Sequence, residues 1–179
     1  MRTGKTILTA LFVSLGLAAA GVANAGPDTI AAAAAAPAQL IDVAQFKALM
    51  ARERGHVIIL SIWATWCAPC RKEMPDLLRV EQQLAGRQVR LIGLSMDEPG
   101  QLQSLVEPFR LRFFPTLRSY LRNTPDMDSL ISVIDPAWNE ILPTTYLLDR
   151  NGRVALRLQG TKPYAEMRDL VLAVTKKPQ

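Results

Sequence analysis

The chain has 179 residues, of which 49% are hydrophobic and 21% charged, and its formal net charge is +5 at pH 7. This composition is ordinary for a globular protein, so we expect one domain with a packed core. The basic residues are scattered rather than gathered in one run, which argues against binding to nucleic acid. A looser group, Arg110, Arg112, Arg118 and Arg122, could form a local basic patch for an acidic partner.

The N-terminus has the pattern of a secretory signal peptide. Arg2 and Lys5 precede an apolar run over residues 7–22, and Ala23-Asn24-Ala25 supplies small residues for a signal peptidase. We therefore predict a signal peptide over residues 1–25, cleavage before Gly26 and a periplasmic location. Cleavage would leave a net charge of +3. The alternative is an uncleaved membrane anchor, although the run is slightly short for a membrane span. No cysteine stands directly after the run, where it could carry a lipid.

The first half of the mature chain alternates helical and strand patterns. Residues 26–38 are rich in Ala and Pro and read as a linker, so the domain is expected over residues 39–179. A helix is predicted from Val43, closing at Gly55. Residues 56–62 and 89–95 are short apolar runs typical of buried strands. The segment between them, from Cys67 to about Gly86, has the spacing of a long amphipathic helix.

The second half predicts another helix, an insertion and a hairpin. Residues 99–109 show helical spacing, and residues 113–141 read as a partly helical insertion. Two strands over 145–148 and 154–158 are joined by an Asp-Arg-Asn-Gly turn, and a helix around residues 167–174 closes the domain. The order predicts an α/β fold whose mixed central sheet is covered by helices on both faces.

The two cysteines of the chain, Cys67 and Cys70, are separated by two residues. A disulfide across so short a loop constrains the unfolded chain very little, so the pair suits a chemical site better than a structural staple. A zinc half-site is the alternative. It would need two further ligands, and the sole histidine is His56.

The spacing has a chemical reason if Cys67 begins a helix. A helix N-terminus offers unpaired N–H groups and partial positive charge, which favour the thiolate over the thiol. Pro69 suits the first turn of such a helix because it lacks an N–H. Cys70, one turn on, could then resolve a mixed disulfide between Cys67 and a substrate.

Two motifs carry a family resemblance. The segment over residues 63–75 (WATWCAPCRKEMP) resembles the active site of the thioredoxin superfamily, and more closely that of TlpA/ResA-type exported thiol–disulfide oxidoreductases. Residues 142–152 (LPTTYLLDRNG) resemble the second signature of that family. The resemblance covers roughly residues 40–175 and implies a thioredoxin-like fold.

The resemblance also implies roles for individual residues. Pro143 would be a cis-proline beside the disulfide, and the backbone of the preceding Leu142 would pair with a substrate strand. Glu73 would modulate cysteine protonation or contact substrate, the alternative being an ordinary acid in the first half of a helix. Ser61 stands where thioredoxins carry a buried Asp, so the proton acceptor for the resolving thiol is open between Glu73 and water.

Substrate contacts are expected around the dithiol, from Trp66, Ala68 and Pro69. Trp63 and Trp66 are also expected to pack over the site.

The resemblance leads to a dithiol reductase as the first functional hypothesis. Such proteins serve cytochrome c maturation or copper-site assembly, act on the thiols and disulfides of exported proteins and are recharged by a membrane dithiol reductase. No cofactor is expected beyond the Cys67–Cys70 disulfide, and no metal. A disulfide oxidase or isomerase is the second hypothesis, because the motif alone does not fix the redox direction. A copper-binding chaperone without catalysis is the third.

Overall fold

The structure is a computed structural model that describes Met1 and residues 35–176. Residues 2–25 of the predicted signal peptide and residues 26–34 of the predicted linker lie outside this described part. Among the described residues, no helix combines the length and apolarity needed to cross a membrane. The strands are β1 (Gln39–Ile41), β2 (Val57–Trp63), β3 (Val89–Ser95), β4 (Ser119–Arg122), β5 (Thr144–Leu148) and β6 (Val154–Gln159). The α-helices are α1 (Val43–Arg52), α2 (Ala68–Leu84), α3 (Glu107–Phe113), α4 (Asp128–Ile131) and α5 (Tyr164–Thr175).

The six strands form one mixed sheet in the order β1-β4-β3-β2-β5-β6. Strands β1 to β4 pair in parallel, whereas β5 runs antiparallel to β2 and to β6. The predicted mixed α/β sheet is confirmed. Because β2 and β3 are parallel neighbours, the turns that follow them meet at the same edge of the sheet.

Side chains of the central strand β2 alternate between two apolar clusters, one on each face of the sheet. Ile59 and Trp63 lie in the cluster that also contains the buried faces of α2 and α5. Ile58 and Ile62 lie in the cluster on the opposite face, under α1 and α4. All seven residues of β2 are buried, so the strand holds the segment that follows it in a fixed place.

The predicted insertion over residues 113–141 needs correction. A short helix, α4, is present, but residues 119–122 form β4 inside the central sheet, between β1 and β3. Strand β1 was not predicted either. Both strands are short, and β1 has a single buried residue, Ile41, so their sequences carry little periodic pattern.

The predicted helix over residues 99–109 is also different in detail. A 3-10 turn over Pro99–Gln101 and a π-helical turn over Leu102–Val106 precede α3, which runs on to Phe113. Of its predicted buried face, Val106 is fully buried but Leu105 is 37% exposed. Leu105 lies inside the π-helical turn, whose wider spacing departs from the regular helical period that placed it on the buried face.

The basic patch suggested by the sequence does not form. Arg110 is completely buried and donates to Glu107 and to two backbone carbonyls. Arg122 is 6% exposed and pairs with Glu98. Buried charges require partners, and both guanidinium groups find theirs within the chain. They therefore form no exposed basic surface that an acidic partner could contact.

Candidate active site

The two cysteines lie where β2 gives way to α2. Strand β2 ends at Trp63, a tight turn follows, and Cys67 is the N-cap residue of α2 with extended backbone geometry. Its sulfur accepts a hydrogen bond from the N–H of Cys70 at 3.2 Å. The two residues form a disulfide with 5.3 Å between their Cα atoms. Pro69 occupies the first turn of the helix, so the local arrangement expected from the spacing is present.

The disulfide is almost completely buried, whereas the residues next to the two cysteines in sequence are exposed to solvent. Cys67 is 4% exposed and Cys70 is 2% exposed, and both belong to the apolar cluster beneath α2. Ala68 and Pro69 are exposed. Trp66 is 67% exposed rather than packed over the site, while Trp63 is buried. The exposed indole and first helical turn therefore surround a shielded disulfide.

The segment before β5 approaches the same cluster. The Leu142–Pro143 peptide bond is cis, as the family resemblance implied. Leu142 is half-buried and packs against the cluster that contains both cysteines. Within residues 35–176 its backbone N–H and C=O make no hydrogen bond to other main-chain groups, whereas the next carbonyl, that of Pro143, accepts from Gly160 N at 2.9 Å. The main chain at Leu142 is therefore unpaired at this position.

Glu73 is a buried carboxylate one turn beyond Cys70. It is 3% exposed, and its Oε1 accepts from the backbone N–H of Lys162 at 3.0 Å. Its Oε2 is buried without a partner in the described part of the chain. Burial raises the pKa of Glu73 above its ordinary value, although Lys162 opposes the shift. The side chain borders a cavity of about 520 Å³ that also touches Ala68 and Pro69.

Beneath the helix, the sheet presents hydroxyl groups rather than a carboxylate. Ser61 in β2 is 1% exposed and lies opposite Thr145 of β5. The Thr145 hydroxyl is buried without a hydrogen-bond partner among residues 35–176. Neither hydroxyl is a base at neutral pH, so Glu73 is the buried carboxylate placed nearest in sequence to the resolving thiol.

Sequence reasoning missed Asp97, which lies just past the end of β3 and is 2% exposed. Its carboxylate accepts from the backbone N–H of Thr65 at 3.0 Å and from the Thr65 hydroxyl at 2.6 Å. The Ser95 hydroxyl also donates to it at 2.6 Å. Its position in sequence, directly after a buried strand that runs parallel to β2, could have indicated a residue near the turn that precedes Cys67.

The sole histidine lies elsewhere. His56 precedes β2 and lines a larger cavity of about 720 Å³ together with Glu81 and Val89, from the C-terminal half of α2 and the start of β3. None of the predicted site residues lines this cavity. The described residues contain no group of three His, Cys, Asp or Glu side chains that could hold a metal ion.

Comparison with known sequences finds relatives that are named thiol-disulfide oxidoreductases. The sequence model of the AhpC/TSA family matches residues 27–157. The thiol-disulfide oxidoreductase ResA of Geobacillus kaustophilus is 29% identical over 161 residues, covering 88% of this chain and 79% of the relative. ResA of Bacillus subtilis is 27% identical over 171 residues, covering 94% and 89%. Together with the Cys67–Cys70 disulfide, these relatives support protein-disulfide oxidoreductase activity.

Solved structures agree on the fold. A thioredoxin-family thiol:disulfide interchange protein from Chlorobium tepidum matches with a TM-score of 0.56 and 24% identity, over 70% of this chain and 83% of that one. StoA from Bacillus subtilis matches with a TM-score of 0.52 and 24% identity, over 65% and 82%. The chain therefore has a thioredoxin-like fold and belongs to the AhpC/TSA family.

Proposed function

We propose that the chain is a reductant of disulfides in exported proteins, with Cys67 as the attacking thiol and Cys70 as the resolving thiol. The observation that carries the proposal is the near-complete burial of both sulfur-bearing side chains in an apolar cluster. The comparisons support the reaction class, and burial of the dithiol supports reduction as its direction.

Burial of the dithiol affects the reduction potential because it changes the stability of the thiolate. A thiolate is charged and loses solvation in apolar surroundings, whereas a disulfide is neutral. A dithiol–disulfide couple becomes oxidising when its reduced form is stabilised. Here burial destabilises the reduced form, and an ionised Glu73 would add a like charge near the thiols. Both effects favour a low potential, as a reductant needs.

The reaction balances over two exchange steps. The Cys67 thiolate attacks one sulfur of the substrate disulfide, forming a mixed disulfide and releasing a substrate thiolate that takes up a proton. Cys70 gives up its proton and attacks the sulfur of Cys67, which releases the second substrate sulfur as a thiolate that also takes up a proton. The substrate gains two electrons and two protons, and the Cys67–Cys70 disulfide re-forms. Glu73, with its raised pKa, is the proposed acceptor of the Cys70 proton.

Substrate docking is proposed along the open main chain at Leu142. An extended segment next to the target cysteine could pair with its free N–H and C=O, as peptides do at the edge of a sheet. The exposed indole of Trp66 and the exposed Ala68 and Pro69 would contact the same segment. Pro143, which precedes β5, would complete the contact surface beside the disulfide.

The surrounding pathway follows from the sequence and the resemblance. A signal peptide over residues 1–25 would deliver the protein to the periplasm, where a membrane dithiol reductase would restore the reduced form. Apocytochromes c and copper-site proteins are the proposed substrates. Mass spectrometry of the protein recovered from the periplasm should find an N-terminus at Gly26, and recovery of the intact chain in the membrane fraction would instead support an anchor.

Trapping of the mixed disulfide tests the residue roles. The Cys70→Ser variant should accumulate a covalent complex with a disulfide-containing apocytochrome peptide, because the resolving step is removed. The Cys67→Ser variant is the matched control and should form none. Equal trapping by both variants would contradict the assignment of Cys67 as the attacking thiol.

A disulfide oxidase or isomerase is the second candidate. It is favoured by the position of Cys67 at the N-cap of the 17-residue helix α2, where the helix dipole stabilises a thiolate and hence the reduced form. Oxidation of a reduced, unfolded substrate faster than reduction of its disulfide form would support it. Copper chaperoning ranks third, and tight binding of Cu(I) by the reduced protein would support that function.

A further inference from the structure

We propose that Asp97 is a positioning residue for the dithiol, whose carboxylate holds the turn that carries Trp66 and Cys67. The inference rests on the proposed function, because positioning matters only if Cys67 is the attacking thiol. It concerns a buried charged group that the exchange reaction itself does not use.

The turn between β2 and α2 is fixed mainly from one side, by the end of β3. The N–H of Met96 donates to the carbonyl of Trp63 at 2.8 Å. Asp97 then accepts from both donors of Thr65, the N–H at Oδ2 and the hydroxyl at Oδ1. Within the turn, the N–H of Cys67 donates to the carbonyl of Ala64 at 3.1 Å. Asp97 thus holds Thr65 by two hydrogen bonds, one to its backbone and one to its side chain. Thr65 lies immediately before Trp66 and two residues before Cys67.

The Asp97 carboxylate is in turn held in place by Ser95. The Ser95 hydroxyl donates to Oδ2 of Asp97 and also accepts from its backbone N–H at 3.1 Å. Among residues 35–176 no Lys or Arg side chain pairs with Asp97, although it is 2% exposed. A buried polar group is costly unless it is well hydrogen-bonded, and the Asp97 carboxylate accepts three hydrogen bonds, two from Thr65 and one from Ser95.

A carboxylate suits these three donors better than the amide of the same shape, because both of its oxygens accept hydrogen bonds. It can therefore serve two Thr65 donors and one Ser95 donor at once. An amide at this position would present N–H donors to one of these sites. The arrangement joins the ends of the parallel strands β2 and β3, and thereby sets where Cys67 lies relative to the first turn of α2.

Substitutions at Thr65 separate this role from general stability. Thr65→Val keeps the shape and the backbone bond but removes the hydroxyl that donates to Asp97, whereas Thr65→Ser keeps both bonds. Asp97→Asn removes the charge. Asp149→Asn is the matched control, because Asp149 also accepts hydrogen bonds from two backbone N–H groups. Asp149 lies in the turn between β5 and β6, whereas Pro143 lies at the opposite end of β5.

The measurement is the rate at which reduced Cys67 reacts with iodoacetamide over pH 5–10, far below each variant's melting temperature. We expect Thr65→Val and Asp97→Asn to lower the rate at pH 7 by about 10-fold, because small displacements of a reacting group cost one to two orders of magnitude. The pH midpoint of each curve should also move upward, since the thiol loses its fixed place at the helix N-terminus. Thr65→Ser and Asp149→Asn should stay within about 2-fold of the wild type.

The outcomes are separable. Thr65→Val and Asp97→Asn curves that coincide with the wild type would overturn the positioning role, even if both variants melt at lower temperature. If wild-type Cys67 reacts readily yet the protein reduces no protein disulfide, the proposed function fails while the positioning role still stands or falls on the alkylation curves.

Discussion

Replacing Glu73 with Gln removes a buried carboxylate from the first half of α2 while keeping the size of the side chain. The Gln carbonyl can still accept from the N–H of Lys162, as Glu73 Oε1 does. The variant therefore isolates the effect of charge on the dithiol. Because burial raises the pKa of Glu73, the carboxyl is neutral at low pH and ionises only as the pH rises through that raised pKa.

The size of the effect follows from the helix. Glu73 lies six residues beyond Cys67, or about 9 Å along the helix axis at about 1.5 Å per residue. Two like charges at about 9 Å with an effective dielectric constant of about 20 repel by about 1.8 kcal/mol. That is about a 20-fold change in the equilibrium population of the Cys67 thiolate.

Alkylation of the reduced protein by iodoacetamide, followed across the pH range, measures this population. At intermediate pH, above the raised pKa of Glu73 and before the Cys67 thiol is fully ionised, the Glu73→Gln variant should react faster than the wild type, by up to about 20-fold. At high pH, where the thiol is fully ionised in both proteins, the two rates should converge. At acid pH, where Glu73 is protonated, the two curves should converge. Glu81→Gln is the matched control. Glu81 lies in the same helix, and burial raises its pKa too, but it is about 21 Å along the axis from Cys67.

Coincident curves for wild type and Glu73→Gln at every pH would refute the coupling between this carboxylate and the dithiol. An equal effect of Glu81→Gln would refute the distance argument.

Three other variants test the packing and the surface. Glu53→Gln should lower the free energy of unfolding at pH 7 by about 2 kcal/mol, because the variant loses two ion pairs with arginines. Burial raises the pKa of Glu53, but its two arginine partners outweigh burial and hold that pKa below its ordinary value. Urea titrations should show the difference vanish as the pH falls through that lowered pKa. Gly93→Ala should cost about 2 kcal/mol, seen as a lower melting temperature, because its Cβ would lie 3.0 Å from Trp63 Nε1. Trp66→Ala should raise KM for a protein disulfide about 10-fold and leave alkylation of Cys67 unchanged; an unchanged KM would remove Trp66 from the docking surface.

Local patterns were enough to predict the part of the fold that carries the dithiol. The apolar run that became β2 is buried along its whole length, and the helical spacing after Cys67 matches the buried face of α2, including Met74 and Leu77. The turn chemistry at Gly152, which has a positive φ, likewise marked the hairpin of β5 and β6. In each case one segment contains its own signal, either a period or a turn residue.

The features that were missed depend on contacts between distant segments. Strand β4 has four residues and includes Arg122, and only its pairing with β1 and β3 makes it a strand. Asp97 gains its place from hydrogen bonds to Thr65, 32 residues away. Trp66 was expected to pack over the site, yet it points outward, because a single aromatic residue in a turn has no period to show which way it faces.

The reduction potential of the Cys67–Cys70 couple, measured by equilibration in thiol buffers, tests the central claim most directly. Burial of both cysteines and the nearby Glu73 predict a reducing couple, with a potential near that of thioredoxin, about −270 mV. A potential near about −120 mV, as for a strong disulfide oxidant, would contradict the account and make the chain a donor of disulfides rather than a reductant.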